Sequence, residues 1–197
     1  MKILLVYCHP DPDSFASALL KAAERGLKNH DLRSIDLYGT GFDPVLSGNE
    51  WRSYMTATGE NIAGVAEHVD DLRWADGLLF IYPTWFYGPP AMLKGWIERV
   101  WLPGVAFSID TDPSKPVKAG LTNIKYCGVI TTSGSPRWWL WWVRDPGKNL
   151  IKRGLRPLFH KTCKMAWWQL YRMDHSSPSG RKKFLRDVER DLTRLGS

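Results

Sequence analysis

The sequence predicts an α/β fold, in which one five-stranded parallel sheet lies between helices on both of its faces. Short apolar runs without alternation, typical of strands buried on both faces, occur at residues 2–7, 77–82 and 124–132. Segments with helical periodicity stand between these runs, as in right-handed βαβ units. With 197 residues, 44% of them hydrophobic, the chain can bury one sizeable core, so we expect a single domain over residues 1–197.

The first strand leads into a loop, CHPDPDSF, that is a candidate anion site. Ser14 is a good N-cap for a helix that runs to about residue 28. The first turn of a helix has free N–H groups and a dipole that favours negative charge, so Ser14 and the N–H groups near Phe15 and Ala16 are candidates to bind a phosphate, with His9 as a further donor. The alternative is an ordinary helix cap beside a loop histidine.

One strand and one helix are predicted between this helix and the next buried run. Residues 32–38 form the second strand, and residues 51–61 have no clear period. Residues 62–75 carry apolar side chains at helical spacing and lead into the third strand at residues 77–82.

The most informative stretch is residues 82–101, YPTWFYGPPAMLKGWIERVW. Proline has φ fixed near the helical value and lacks the N–H group that a first turn leaves unpaired, so Pro89 and Pro90 predict a helix start near Pro90. Apolar residues then recur on one helical face from Met92 to Trp101. The aromatic loop before this helix follows a central strand, where ligands bind in open α/β sheets.

A second candidate binding loop follows the fourth strand. Residues 103–123 are rich in Pro, Gly, Asp and Lys and predict a long surface loop. Residues 124–132 form the fourth strand, which ends in TTSGSP. Small residues let the backbone approach a flat ligand closely, although the same composition also suits an ordinary turn.

The segment RWWLWWVRDPG at residues 137–147 contains four tryptophans within five positions, 138–142. They cannot all face one core. We therefore expect some of them to line a cleft, a subunit interface or a membrane surface.

The remaining elements complete the fold. Residues 148–159 predict a basic helix cut by Pro157, residues 163–171 a fifth strand, and residues 177–195 a closing amphipathic helix. Five alternating strands and helices without a repeat or a linker predict a flavodoxin-like three-layer sandwich with strand order 2-1-3-4-5.

Composition argues against several classes of protein. No apolar run approaches the roughly 18–20 residues that span a bilayer, so we expect a cytoplasmic protein. Cys8, Cys127 and Cys163 are widely spaced without a C-x-x-C pair, so we expect free thiols that are buried or half-buried, no disulfide framework and no metal site.

The net charge of +7 is unevenly distributed along the chain. Residues 1–114 contain 9 Lys and Arg against 15 Asp and Glu, whereas residues 115–197 contain 18 against 5. The basic part could attract an anionic partner. No nucleic-acid recognition motif accompanies it, so we expect no nucleic-acid partner.

Three separated segments resemble one family. HPDPDSF, YPTWFYGPPAMLKGWIERV and TTSGSP are similar to the phosphate loop, the flavin loop with its helix, and the second flavin loop of the flavin-dependent NAD(P)H:quinone oxidoreductases with a flavodoxin-like fold. This family includes the ancillary reductases that regulate bacterial potassium-efflux channels. The resemblance implies hydride transfer in a ping-pong sequence, from NAD(P)H to bound flavin and then to a quinone.

The resemblance also implies which residues bind the flavin. His9, Ser14 and Phe15 would contact its phosphate. Backbone N–H groups of Phe86 and Tyr87 would reach the N5 and O4 side of the isoalloxazine. The residues that would edge the ring are Pro83, Thr84, Trp85, Phe86 and Tyr87, and those that would cover its pyrimidine end are Thr131, Thr132, Ser133 and Gly134.

The sequence departs from the family beyond the TT loop. The mammalian-type enzymes have a tyrosine and a histidine there that stabilise the reduced flavin, and the corresponding residues here are Trp139 and Asp145. Tryptophan has no hydroxyl, and a carboxylate repels an anionic flavin. We expect flavin binding to be kept, with Thr132 or the N–H groups of Ser133 and Gly134 as substitute donors.

The cofactor and the partners stay open at this stage. Sites of this size more often hold FMN, and FAD is the alternative, with its adenine along a dimer interface. We expect a homodimer that uses NAD(P)H and a quinone-like acceptor. The alternatives are a regulatory subunit docked on a potassium-efflux channel, peripheral to the membrane, and a one-electron flavodoxin-type carrier.

Overall fold

A parallel sheet covered by helices on both faces organises the computed structural model, which describes residues 1–110, 112 and 114–195. The flavodoxin-like arrangement and the five parallel strands are confirmed, in the order β2-β1-β3-β6-β7. The predicted order, 2-1-3-4-5, did not include a short antiparallel pair, β4 and β5. The strands are β1 Lys2–Tyr7, β2 Asp31–Asp36, β3 Gly77–Pro83, β4 Phe107–Ser108, β5 Lys118–Ala119, β6 Tyr126–Thr132 and β7 Lys164–Leu170.

The helices occupy the connections between the strands. Ser14 caps α1 by accepting a hydrogen bond from the Ser17 N–H, and α5 begins after Pro90, both as predicted. The helices are α1 Phe15–Gly26, α2 Gly48–Ser53, α3 Thr58–Gly64, α4 Ala66–Trp74, α5 Ala91–Val100, α6 Arg137–Trp142, α7 Pro146–Asn149 and α8 Pro178–Thr193.

Alternate residues of the central strands pack into two separate hydrophobic cores. Leu4 and Val6 of β1 face the core that is closed by α4 and α5, where Trp96 is fully buried. Ile3 and Leu5 face the opposite core, closed by α1 and α8. This division follows from the two-residue period of a strand, since the buried runs of β1, β3 and β6 present apolar side chains to both faces along most of their length.

The helix α5 approaches the chain after β2 very closely. A Cβ placed on Gly95 would lie 2.2 Å from the Pro44 carbonyl oxygen, so only glycine permits this contact. The glycine in the LKGW segment thus fixes the position of α5 and, through it, the loop that precedes the helix.

The structure corrects three predictions. Residues 103–123 are not simply a surface loop, because the described part of this segment includes β4, β5 and the buried Val105 and Leu121. The helix predicted from residue 62 begins at Ala66, since residues 58–64 form α3, which breaks at Val65.

The third correction concerns residues 148–159. They do not form one helix, because Asp145 caps a short helix that begins earlier, at Pro146. A π-helical turn, Leu150–Leu155, and a 3-10 turn, Arg156–Leu158, follow it.

Within the part of the chain that the structure describes, no helix combines the length and the apolar composition needed to cross a bilayer.

Burial of the cysteines predicts a loss of stability at alkaline pH. All three thiols are free and buried, and burial raises the pKa of Cys8 to about 12 and that of Cys127 further. In the unfolded chain a thiol ionises near pH 8.5, so above that pH the unfolded state binds fewer protons and is favoured. We expect the free energy of unfolding to be constant to about pH 8 and then to fall, by up to about 1.4 kcal/mol per pH unit for each thiol.

Urea denaturation between pH 7 and 10 measures this loss. In Cys8→Ala the free energy of unfolding should fall less steeply with pH, because one of the three buried thiols no longer contributes. An unfolding free energy that stays flat from pH 8 to 10 would contradict the assignment.

Candidate functional site

Two neighbouring cavities lie at the carboxyl edge of the sheet, where the predicted loops converge. The larger cavity, of about 370 Å³, is lined by residues that follow β1, β3, β6 and β7. The smaller, of about 240 Å³, lies beside it and extends to Leu140 of α6. The predicted residues on the walls are His9, Phe15, Ala16, Pro83, Thr84, Trp85, Phe86, Tyr87, Thr132, Ser133 and Gly134.

The loop after β1 presents hydrogen-bond donors to the larger cavity. The N–H groups of Phe15 and Ala16 are at the first two positions of α1, where a helix provides no acceptor. Nδ1 of His9 lies 3.0 Å from the Asp11 N, whose N–H donates to it, and 3.2 Å from the Asp11 carbonyl oxygen. When Nδ1 accepts the N–H, the imidazole proton is on Nε2. The carboxylate of Asp11 accepts the Asp13 N–H at 2.9 Å, and both aspartates are solvent-exposed rather than on the cavity wall. This end of α1 therefore suits an anion.

The loop after β3 is a two-residue turn with unusual backbone angles. Two hydrogen bonds between Trp85 and Gly88, of 3.1 and 3.0 Å, close it. Its central residues, Phe86 and Tyr87, have φ of 46° and 65°, in the left-handed region that bulky residues rarely adopt. Among the residues that the structure describes, no backbone acceptor bonds the N–H groups of Phe86 and Tyr87, so both are available to a ligand. Strained backbone of this kind concentrates at functional sites.

The segment after β6 holds this turn in place. The Gly147 N–H donates to the Tyr87 carbonyl at 2.8 Å, and a Cβ on Gly147 would lie only 2.8 Å from that oxygen. The indole Nε1–H of Trp139 donates to the Tyr87 hydroxyl at 3.0 Å. Tyr87 is therefore bonded through its hydroxyl to α6 and through its carbonyl to α7.

The loop after β6 is tied to both neighbouring strands. The Thr84 N–H donates to the Thr132 carbonyl at 2.8 Å, and the hydroxyls of Thr84 and Thr131 lie 2.9 Å apart. On the other side, the Ser133 N–H donates to the Leu170 carbonyl at 2.9 Å. Thr131 is fully buried and thus supports the wall rather than facing the cavity. Ser14 is half-buried at the start of α1, directly before the wall residues Phe15 and Ala16.

The two residues that depart from the family pattern have structural contacts. Trp139 is engaged with Tyr87, and its ring lies 5.0 Å from that of Trp142. Asp145 has a left-handed backbone, with φ of 39°, and its carboxylate accepts the Lys148 N–H at 3.2 Å. Burial raises the pKa of Asp145 above its ordinary value. Neither side chain lines the two cavities.

The sequence reasoning missed part of the walls. Met173 and Asp174, after β7, close the larger cavity, and Ser135 and Leu140 close the smaller one. Because parallel strands end at the same edge of the sheet, the residues that follow the predicted fifth strand, including Met173 and Asp174, could have been predicted to line the site. The N–H of Met173 donates to the Ser133 carbonyl at 2.9 Å, which joins this wall to the loop after β6.

Comparison with known proteins places these features in a family. The family described by its flavodoxin-like fold, Flavodoxin_2, matches residues 1–192. The chain is 30% identical over 151 residues to NAD(P)H dehydrogenase [quinone] 1 of Rattus norvegicus, a match that covers 68% of this chain and 54% of that protein. The chain spans about half the length of the curated relatives it matches first.

Two solved structures match over nearly the whole chain. Smu.1420 from Streptococcus mutans UA159 is 34% identical, with a TM-score of 0.86 over 99% of this chain and 100% of that one. The NAD(P)H:quinone oxidoreductase from Methanothermobacter marburgensis is 25% identical, with a TM-score of 0.82 over 99% and 98%.

The strained turn predicts that glycine at position 86 gives a more stable protein than alanine, the reverse of the order expected at an ordinary position. The side chain of Phe86 is fully exposed, so its removal costs little packing. Alanine keeps the left-handed strain of about 1–2 kcal/mol, whereas glycine relieves it. We expect Phe86→Gly to unfold at a higher urea concentration than Phe86→Ala, with a free-energy difference of about 1 kcal/mol. An alanine variant at least as stable as the glycine variant would show that the turn is not strained.

Proposed function

The chain belongs to the Flavodoxin_2 family, and from that premise we propose that it is a flavin-dependent NAD(P)H oxidoreductase that passes two electrons to a quinone or a similar acceptor. The observation that carries the proposal is the convergence of three loops, after β1, β3 and β6, on two adjoining cavities. The walls include N–H groups that bond no backbone acceptor in the described part of the chain. The similarity to an NAD(P)H:quinone oxidoreductase over nearly the full chain supports it.

The donors match the chemistry of a flavin mononucleotide. A phosphate suits the N-terminus of α1, where the N–H groups of Phe15 and Ala16, the Ser14 hydroxyl and Nε2 of His9 can donate. The left-handed turn suits the edge of a flat heterocycle that carries carbonyl and nitrogen acceptors. Such acceptors need N–H donors, and the N–H groups of Phe86 and Tyr87 bond no backbone acceptor among the described residues.

Two donors are available at the pyrimidine end of the ring in this proposal. The Ser133 N–H is occupied by the Leu170 carbonyl, so it cannot serve as a substitute donor. The Thr132 hydroxyl and the Gly134 N–H have no such acceptor in the described part of the chain and lie on the cavity wall. The flavin would supply the hydride chemistry, while these groups orient it and bind its oxygen atoms.

We propose FMN as the cofactor and a ping-pong sequence in which NAD(P)H and the acceptor use the same cavity in turn. FMN ends in a phosphate, which the donors at the start of α1 can bind. FAD continues past this phosphate into an adenosine, which would have to extend beyond the wall formed by α1. FAD is the alternative, and mass identification of the released flavin separates the two.

We propose that the protein acts as a homodimer. Phe86 is fully exposed at the mouth of the smaller cavity, and Trp138, Trp141 and Trp142 are 66%, 80% and 65% exposed on α6. Large aromatic side chains exposed together are typical of an interface. A regulatory subunit docked on a potassium-efflux channel is a second candidate, and it rests on the positive charge of residues 115–197. Such a complex would be sensitive to salt.

The visible spectrum of the purified protein tests the function directly. We expect flavin absorbance at about one flavin per chain, and consumption of NADPH or NADH that depends on an added quinone. Protein that is colourless, takes up neither FMN nor FAD, and leaves both nucleotides unconsumed would refute the proposal.

A pair of helix-cap variants tests the phosphate end of the site. Ser14 and Ser177 cap α1 and α8 in the same way, each accepting an N–H three residues on. Replacing either with alanine should reduce the free energy of unfolding of the apoprotein by about 1 kcal/mol. Only Ser14→Ala should weaken FMN binding, by about tenfold, because it also removes a hydroxyl donor to a charged group.

Fluorescence titration with FMN and urea denaturation measure the two effects separately. Equal FMN affinity in the two variants would mean that Ser14 is only a helix cap.

A further inference from the structure

A third cavity, which we call the basic pocket, lies next to the smaller cavity, and Leu140 of α6 belongs to both walls. The basic pocket has a volume of about 450 Å³ and includes Leu140 and Tyr171 in its wall. Four cationic side chains line it: Arg137, Arg144, Lys148 and Arg153. The sequence had shown the excess of basic residues in this half of the chain but not that they surround a cavity.

The cations of the basic pocket are not neutralised by the protein. Elsewhere on the surface, arginines such as Arg25 and Arg33 form ion pairs with carboxylates at 2.8 and 2.7 Å. Across residues 1–110, 112 and 114–195, no ion pair involves any of the four cations of the basic pocket. The one acidic residue on the wall, Asp145, uses a carboxylate oxygen to accept the Lys148 backbone N–H.

The half-buried Lys148 shows the electrostatic consequence. Burial lowers the pKa of its ammonium group, the positive charges of Lys152 and Arg137 lower it further, and only Asp145 acts in the opposite direction. Its Nζ lies 5.6 Å from the centre of the Trp167 ring, with no carboxylate partner. A concave wall with excess charge of one sign focuses the potential and attracts a counter-ion.

The basic pocket adjoins the proposed flavin site. Leu140 belongs to the walls of both the basic pocket and the smaller cavity. The Gly147 N–H bond to the Tyr87 carbonyl fixes the segment between Arg144 and Lys148 against the left-handed turn. A nucleotide bound next to the flavin at the smaller cavity could therefore extend a charged group past Leu140 into the basic pocket.

We propose that the basic pocket binds a phosphate dianion. Arginine presents a planar fork of N–H donors that matches phosphate oxygens, and three of the four cations are arginines. Resting on the proposed function, the source is the 2′-phosphate of NADPH, which NADH lacks. Free inorganic phosphate shares this chemistry and is the other source.

Calorimetric titration of the purified protein with nucleotide fragments tests the pocket without any catalytic readout. The probes are adenosine 2′,5′-bisphosphate, adenosine 5′-monophosphate and inorganic phosphate, in a buffer free of phosphate and sulfate. We expect the bisphosphate to bind about tenfold or more tightly than the monophosphate, as for charge-assisted hydrogen bonds to one added phosphate.

Two double variants distinguish phosphate binding in the basic pocket from non-specific attraction to the positive charge of the protein. Arg137→Gln/Arg153→Gln removes two exposed cations of the basic pocket and should abolish the preference for the bisphosphate. Lys21→Gln/Lys182→Gln removes the same charge from exposed positions outside the pocket and should keep the preference. In flavin-loaded enzyme, the first variant should raise the KM for NADPH about tenfold and leave that for NADH unchanged.

The outcomes separate the phosphate sources and the two proposals. Binding of inorganic phosphate that is lost in Arg137→Gln/Arg153→Gln, without a preference for the bisphosphate, supports the pocket and assigns it to free phosphate. No phosphate-dependent binding, or equal losses in both double variants, overturns it. If the flavin-loaded protein reduces a quinone but shows no phosphate-dependent binding, only the proposal for the basic pocket is wrong. If the protein binds phosphate but takes up no flavin, only the proposed function is wrong.

Discussion

The left-handed turn at Phe86 and Tyr87 is the constraint on which the rest of the site depends. Two bulky residues in this region cost of order 1–3 kcal/mol each, so the turn persists only where its surroundings determine it. Four hydrogen bonds do so: the two between Trp85 and Gly88, and one each from Gly147 and Trp139 to the two ends of Tyr87. The result is a pair of backbone donors held outward without a glycine in either central position, at the carboxyl end of a fully buried strand.

The segment between β6 and β7 contributes to two neighbouring cavities. It bonds Tyr87 and thereby keeps the turn against the smaller cavity. It also provides the cations of the basic pocket. Asp145 links the two, because its left-handed backbone directs the chain into α7 and its carboxylate caps that helix. A substitution that disturbed this corner would therefore be expected to affect both cavities together.

The fold was predictable where the signal is local. Uninterrupted apolar strands, the Ser14 cap and the start of α5 after Pro90 each depend on a few neighbouring residues. The β4–β5 pair was not predictable, because strands of two residues have no period. The left-handed turn was equally hidden, since no glycine or asparagine occupies its centre. The Trp139–Tyr87 bond joins residues 52 positions apart. The four cations of the basic pocket lie within residues 137–153, but the turns between α6, α7 and the π-helical segment, which make them surround a cavity, have no sequence period.

The departures at Trp139 and Asp145 change how the proposed flavin site would balance negative charge. A tryptophan offers one N–H, and it is already donated to Tyr87. Asp145 adds a carboxylate, although burial raises its pKa and the Lys148 N–H occupies one of its oxygens. Four cations stand around that single carboxylate. A concave wall with an excess of one charge raises the local potential, so the carboxylate of Asp145 lies among cations that offset its charge. The indole of Trp139 has no further N–H to donate, so neither residue repeats the tyrosine and histidine of the mammalian-type enzymes.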